Sequence, residues 1–566
     1  MTDAGIYQLS LSTAVLLLLA FYGGTFLMSL AIGRKNENVD GYMTSNSAIG
    51  FGFSAASMIA TWIWAASFYA SATAGYKFGI SGPIHYGLWG ALMILFIYPF
   101  GKRFRQLAPN AHTLAEVIHA RHGRSSQMIM AVSNLVGSAI SLMVNFTAAG
   151  TLVAVLTPLD FIHGVLIAGL GVLSYTLWSG FRASVMTDFA QLVAMILSAV
   201  IIIPVIYFQI GGAPALLEQQ WRLSDEQFSF FSKTAFLEQG APFLVAVLAY
   251  AIGNQTIAQR LFAVREDLIK PTFITATIGY GAVVIGLGMI GMLALFVGLQ
   301  PADGNLNNIL PQMASTFLPP VLIGFFFILV IGSLSSTADS DLAALSAITM
   351  TDLYAKNIAR GRPDPRKMLW LGRVTMIVAT MVGVIFASLK LDILVMLVFV
   401  GALWGAIVFP VIASFYWNRI TNRAFTVAVL AALIAFTIAR FELLPMTGAV
   451  AVFFEVAAAV GGGVVLGLMA FGFLGRTAGL LVGAVAMLVL IPVNLGTLRD
   501  YTVLISSLTA YGVSAGVCVA LTLRSNERFD FALLAERVTN FHDPASERDD
   551  ELPAVIGGNA PAASRA

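Results

Sequence analysis

Charge is what this 566-residue chain has least of: Asp, Glu, Lys and Arg make up 11% of it, against roughly 25% in a soluble domain. A chain this long with so few charges cannot cover itself with a wettable surface. Cysteine is nearly absent too. Cys518 stands alone, which excludes an internal disulfide and any cysteine-built metal site. The six histidines are scattered and none forms an HExxH pair, so zinc-hydrolase chemistry has no footing. A net charge of +2 at pH 7 marks no electrostatic partner, and nucleic acid is not expected. What remains is apolar, at 58% of residues with a mean hydropathy of +0.85. The apolar runs reach about 18 residues or more, enough to cross a hydrocarbon core about 30 Å thick. The composition is that of a polytopic, all-α membrane protein.

Polar breaks divide the chain into about fifteen spans: one near 8–32, ten between 50 and 416, and four between 424 and 523. The first span follows an acidic start and is long for a cleaved leader, so it is expected to be retained. Arg34, Lys35, Lys102, Arg103, Arg105, Arg260, Arg265, Arg360, Arg362 and Arg366 collect on one side of this map. Lys77, Arg222, Lys233, Lys390, Arg440 and Arg499 fall on the other. The positive-inside rule then predicts an external N-terminus, a cytoplasmic C-terminus and an odd number of spans. Spans two to six and seven to eleven form two sets of five. An odd set reverses orientation, as an inverted repeat requires. The expected units are 1–49 (extra helix and first loop), 50–210 (first five-helix repeat), 211–238 (external loop), 239–417 (second repeat), 418–523 (extra helices) and 524–566 (a tail, partly disordered).

Polar groups at membrane depth are costly, and each is a candidate for function. The densest cluster is Gly332–Asp341 in the ninth span, where Ser333, Ser336, Thr337 and Ser340 recur at helical spacing beside Asp339 and Asp341. A row of hydroxyls suits a small hard cation. The competing reading is that Ser and Thr only bind helices together. Asp188 opens a second island, Thr187–Gln191; a carboxylate stabilised at a helix N-terminus is the alternative there. Two spans look interrupted, one at Trp62-Ile63-Trp64 and one at Gly253-Asn254-Gln255. Paired broken helices point to a midplane site. Trp62, Trp64, Tyr250, Asn254 and Gln255 are the expected solute-lining residues, since aromatic faces sandwich a flat molecule and amides both donate and accept.

Three features are discounted. Gly286-Leu287-Gly288-Met289-Ile290-Gly291 fits GxGxxG but has no strand before it, and is expected to pack helices. His112, His119 and His122 are expected on a solvated face. Glu455 is a lone intramembrane carboxylate outside both five-helix sets.

Thr187-Asp188-Phe189-Ala190-Gln191, Asn254-Gln255 with Gln259-Arg260, and Ser336-Thr337 followed by Thr351-Asp352-Leu353-Tyr354 resemble the sodium:solute symporter family over roughly residues 45–425. The resemblance implies a LeuT-like five-plus-five inverted-repeat core with extra terminal helices. It implies a Na+ site at the carbonyls of Ala60 and Ile63, the Ser333 carbonyl, and the hydroxyls of Ser336 and Thr337. It implies a coupling or second-ion role for Asp188, and a cavity-closing role for Tyr250. Asp339 departs from the small residue common at its position, so Asp339, Ser340 and Asp341 join Asp188 as coupling candidates. Trp62–Ala66, Tyr76–Pro83, Ala108–Thr113 and Ala120-Arg121 resemble the urea-active branch, some of whose members couple to protons.

The expectation is a symporter, not an enzyme, in the plasma (inner) membrane. It couples Na+, or alternatively H+, to uptake of a small polar solute and needs no other cofactor. Urea comes first; an amino acid or small carboxylate is the alternative, and a transporter-like sensor or a passive channel the alternative of another class.

Overall fold

The computed structural model describes residues 7–32, 38–359, 363–391 and 393–538. Expectations for Arg34, Lys35, Arg360, Arg362 and the tail from 539 onward fall outside these. Apart from one bridge between Ile49 and Val264, the described residues pair no strands. In lipid a helix satisfies its own backbone, so an apolar chain of this kind has little other choice.

The helices that matter to the site run in chain order. They are α1 (Leu11–Ile32), α2 (Phe51–Trp62), α3 (Ala65–Phe78), α4 (Ser81–Leu107), the short α5 (Leu114–His122), α6 (Arg124–Leu156) and α7 (Phe161–Gln209). The second set is α8 (Ala241–Gly253), α9 (Gln255–Ala263), α10 (Ile269–Phe296), α11 (Pro320–Ile348), α12 (Pro365–Ala387) and α13 (Ile393–Tyr416). Four extra helices follow: α14 (Asn422–Arg440), α15 (Gly448–Leu474), α16 (Arg476–Asn494) and α17 (Thr502–Leu523).

Among the described residues 13 helices are long and apolar enough to span a membrane, and the bent pair α2–α3 makes 14. The remaining expected span falls on α13, whose described apolar stretch is the shorter Leu403–Tyr416. Two expected spans, near 160–178 and 186–210, are one helix α7 broken at Gly180. Gly180 adopts φ 56°, a left-handed conformation that favours glycine, and a Cβ there would press on the Tyr42 ring at 2.7 Å. Gly288 and Gly291 lie in α10 where it closes on Ser71 and Ala72 of α3, so the glycine motif packs helices.

Each five-helix set begins with an interrupted helix. α2 ends at Trp62, and the chain bends by 53° before α3 continues. In the second set Asn254 breaks the run with ψ 115°, and its own side chain caps α9 through the Thr256 amide. α11 packs against α7, α6 and α2, which places its hydroxyl row beside the first break. The beginning of the tail also docks, with the Arg121 guanidinium 4.2 Å over the Phe529 ring.

Candidate functional site

Asp188 is the node of the buried polar cluster. It lies two turns beyond the Gly180 break and is fully buried, which overturns the helix-N-terminus alternative. Ser57 of α2 donates to Asp188 Oδ2 at 2.5 Å, and Ser336 of α11 donates to Oδ1. Arg260 of α9 completes the node, with a guanidinium nitrogen 3.0 Å from Oδ2. The same guanidinium donates to Ser57 at 3.0 Å, to Ser340 at 2.7 Å and to the Thr61 hydroxyl. Four helices remote in sequence therefore share one buried ion pair. Sequence reading placed Arg260 with the basic loops; the structure corrects this, leaving it 4% exposed inside the cluster.

The hydroxyl row of α11 meets the open end of α2. A helix end leaves its last four carbonyls without helical partners, and here these belong to the turn containing Ala60, Thr61, Trp62 and Ile63. Ser333 donates to the Ile63 carbonyl, and Thr337 donates to that of Thr61 at 2.7 Å. Ala60 is buried in the same turn. Asp339 points to the other side, accepting from Tyr175 at 2.7 Å and Ser184 at 2.6 Å. Ser340 links Asp339 to the node, donating to Asp339 Oδ1 at 3.2 Å while accepting from Arg260. Asp341 faces Ser138 and Ser141 of α6 instead. With both carboxylates ionised, Asp188, Asp339 and Arg260 carry one net negative charge, which one monovalent cation or a proton would balance.

Between the two breaks lies a chamber of about 40 Å³, walled by Trp62, Trp64, Tyr86, Tyr250 and Tyr280 with Ser507 at its edge. None of its lining side chains is charged. The Trp62 indole donates to the Gly90 carbonyl at 3.1 Å and meets Tyr250 edge-on. Asn254 and Gln255 are not on this wall. Asn254 caps α9, while Gln255 donates to the His112 carbonyl at 3.1 Å and accepts from the Leu114 amide. Glu455 is remote as well, accepting from the Leu498 amide at 3.1 Å.

The Gln255 contacts belong to a sealed layer at the end of the bundle bearing α5. His112 is buried, not solvated as expected, with its ring nitrogens 2.6 Å from Asp40 and 3.3 Å from Glu116. His122 instead lies 2.7 Å from the Ser414 hydroxyl. Burial opposes a charged imidazole at His112, but hydrogen bonds to the two carboxylates outweigh it and raise the pKa to about 9. Burial likewise opposes the Glu116 charge, and His112 with Lys356 nonetheless holds that carboxyl below its usual value. A folded-state pKa above the unfolded value of 6.5 gives stability that is complete below that pH and lost as pH rises through about 9. The thermal midpoint of the wild type is therefore expected to fall between about pH 7 and 10. His112→Gln should start lower and change little over that interval; a flat wild-type profile would contradict the assignment.

Two interrupted helices meeting beside a buried polar cluster are the arrangement in which transporter folds build midplane sites. The chain belongs to the sodium:solute symporter family, whose model matches residues 42–434. It is 22% identical over 427 residues to the probable urea active transporter 1 of Schizosaccharomyces pombe, covering 70% of this chain and 64% of that one. The chain thus spans less than two thirds of that relative's length. It is also 22% identical to the sodium/pantothenate symporter of Haemophilus influenzae, covering 73% of this chain and 86% of the other. Among solved structures, a substrate-bound, outward-open Na+-coupled sialic acid symporter shares the fold. Its TM-score is 0.66 at 18% identity, over 84% of this chain and 98% of that one. The family and these relatives are transporters, not enzymes, and this chain is a multi-pass membrane protein of that family.

Proposed function

We propose that the protein couples inward Na+ movement to uptake of a small, neutral, polar solute, with urea the first candidate. The observation that carries the solute class is the chamber. Its walls are aromatic, it holds no charged side chain, and its 40 Å³ equals about three waters at roughly 10–15 Å³ each. That suits a flat solute of a few heavy atoms better than a sugar or pantothenate. A desolvated carboxylate would need a cation beside it, and the cluster's Arg260 is already paired with Asp188.

The proposed Na+ ligands are the carbonyls of Ala60, Ile63 and Ser333 and the hydroxyls of Ser336 and Thr337. The reading is supported by the meeting of that hydroxyl row with the freed carbonyls of α2, and by a cluster one positive charge short of neutrality. Asp188 holds Ser336 in place and, with Asp339, supplies the charge that makes entry of a cation favourable, while the Ser340 hydroxyl links Asp339 to Arg260. A proton on Asp339 would fill the same charge deficit, which is why H+ is the competing ion. The orientation in this reading is N-terminus outside and C-terminus in the cytoplasm, in the inner membrane.

Competition tests the solute. Labelled-urea uptake should be blocked by excess unlabelled urea and unaffected by glucose. Failure of urea to accumulate or compete, with proline or acetate doing so, would overturn the solute and leave the symporter.

A further inference from the structure

We propose that a second cavity, at the end of the bundle opposite His112, is a binding site for a small organic monocarboxylate with an apolar body. The cavity is about 320 Å³ and lies between α3, α8, α14 and α17. It shares Pro242, Phe243 and Ser507 with the chamber, so it sits on the route into it. Lys77 from the end of α3 and Arg440 from the end of α14 both line it. Glu238 is the one acidic side chain on the wall, and among the described residues no ion pair joins it to either cation. The wall therefore carries an excess of positive charge.

Gln239 gives the independent sign of a ligand. It lines the same cavity and is 5% exposed, yet its side-chain nitrogen has no hydrogen-bond acceptor. Buried donors are normally paired, because an unmade bond costs the full desolvation of the group. An acceptor placed in the cavity would satisfy it. Two cations and an unpaired amide N–H lining one cavity describe a site for a carboxylate. Phe78, Phe436 and Phe441 complete the wall, and they call for an apolar body rather than an inorganic anion. Because the adjoining chamber offers no cation, the carboxylate is held at the mouth and does not pass on. Its binding closes the entry route, whatever solute the chamber carries.

The test is calorimetric titration of the purified full-length protein in phosphatidylcholine nanodiscs with benzoate, so that the result does not depend on which solute is transported. Saturable binding is expected. It should weaken at least tenfold in Lys77→Gln/Arg440→Gln and about fivefold in Gln239→Leu, while the chamber variant Tyr250→Phe binds as the wild type does. Sulfate and benzyl alcohol should each bind at least tenfold more weakly than benzoate. If the double variant does not fold, Lys77→Gln alone, at an exposed position, carries the test. Absence of saturable binding, or unchanged binding in the cation variants, would overturn the proposal. So would loss of benzoate binding when phosphatidylglycerol replaces part of the phosphatidylcholine, which would assign the cavity to a lipid headgroup.

Discussion

Asp188→Asn is expected to abolish gradient-driven uptake. The substitution leaves the Arg260 guanidinium buried without its carboxylate, and breaking one side of a buried ion pair costs about 3–5 kcal/mol. It also takes the cluster of Asp188, Asp339 and Arg260 from one net negative charge to none, removing the deficit that favours a cation. Transport should fall on the order of 100- to 1,000-fold or more. The double variant Asp188→Asn/Arg260→Gln separates the two effects. It no longer buries the unpaired guanidinium, and Asp339 restores one net negative charge, so thermal stability should recover; uptake should stay lost because the carboxylate that positions Ser336 is gone. Glu455→Gln is the control, since Glu455 touches the Leu498 backbone outside the core, and it should retain most activity. Uptake near wild type in Asp188→Asn would remove the node from the mechanism.

The second large effect falls on the hydroxyls of α11. Removing one buried polar ligand costs about 1–3 kcal/mol, so Ser336→Ala and Thr337→Ala should each raise half-saturating Na+ about 5- to 150-fold. Their maximal uptake at saturating Na+ should fall less. Ser340→Ala is expected to differ in kind. Ser340 contacts Arg260 and Asp339, so its loss should perturb the charge network more than the ligand set. An unchanged Na+ dependence in Ser336→Ala would count against the site.

The spans were legible because each is a long apolar run. The helix breaks were legible because Trp62-Ile63-Trp64 makes the middle of one apolar run unusually aromatic, and Gly253-Asn254-Gln255 interrupts another with a glycine and two amides. The hydroxyl row showed itself through its own spacing within one helix. Arg260 did not. Its charge sits near the end of an apolar segment, where a loop arginine and a buried one look alike. Its partners Ser57, Thr61, Asp188 and Ser340 come from three other helices. Gln255 misled for a related reason: an amide beside a helix break suits a solute wall, and only the docking of residues 112–114 against α9 turns it away. His112 is buried where Asp40, from the short helix Val39–Thr44 after α1, reaches it across 72 residues of chain. Contacts within one helix can be read from spacing, whereas contacts between helices need the fold.

The central claim is Na+-driven accumulation through the Asp188 node, and one measurement meets it directly. Purified wild-type protein in sealed proteoliposomes is given labelled urea with Na+ and H+ gradients imposed separately. The account predicts accumulation above equilibrium under an inward Na+ gradient, none under an H+ gradient alone, and none for Asp188→Asn under either. Equal accumulation with Na+ balanced across the membrane, or a wild-type response in Asp188→Asn, would contradict it.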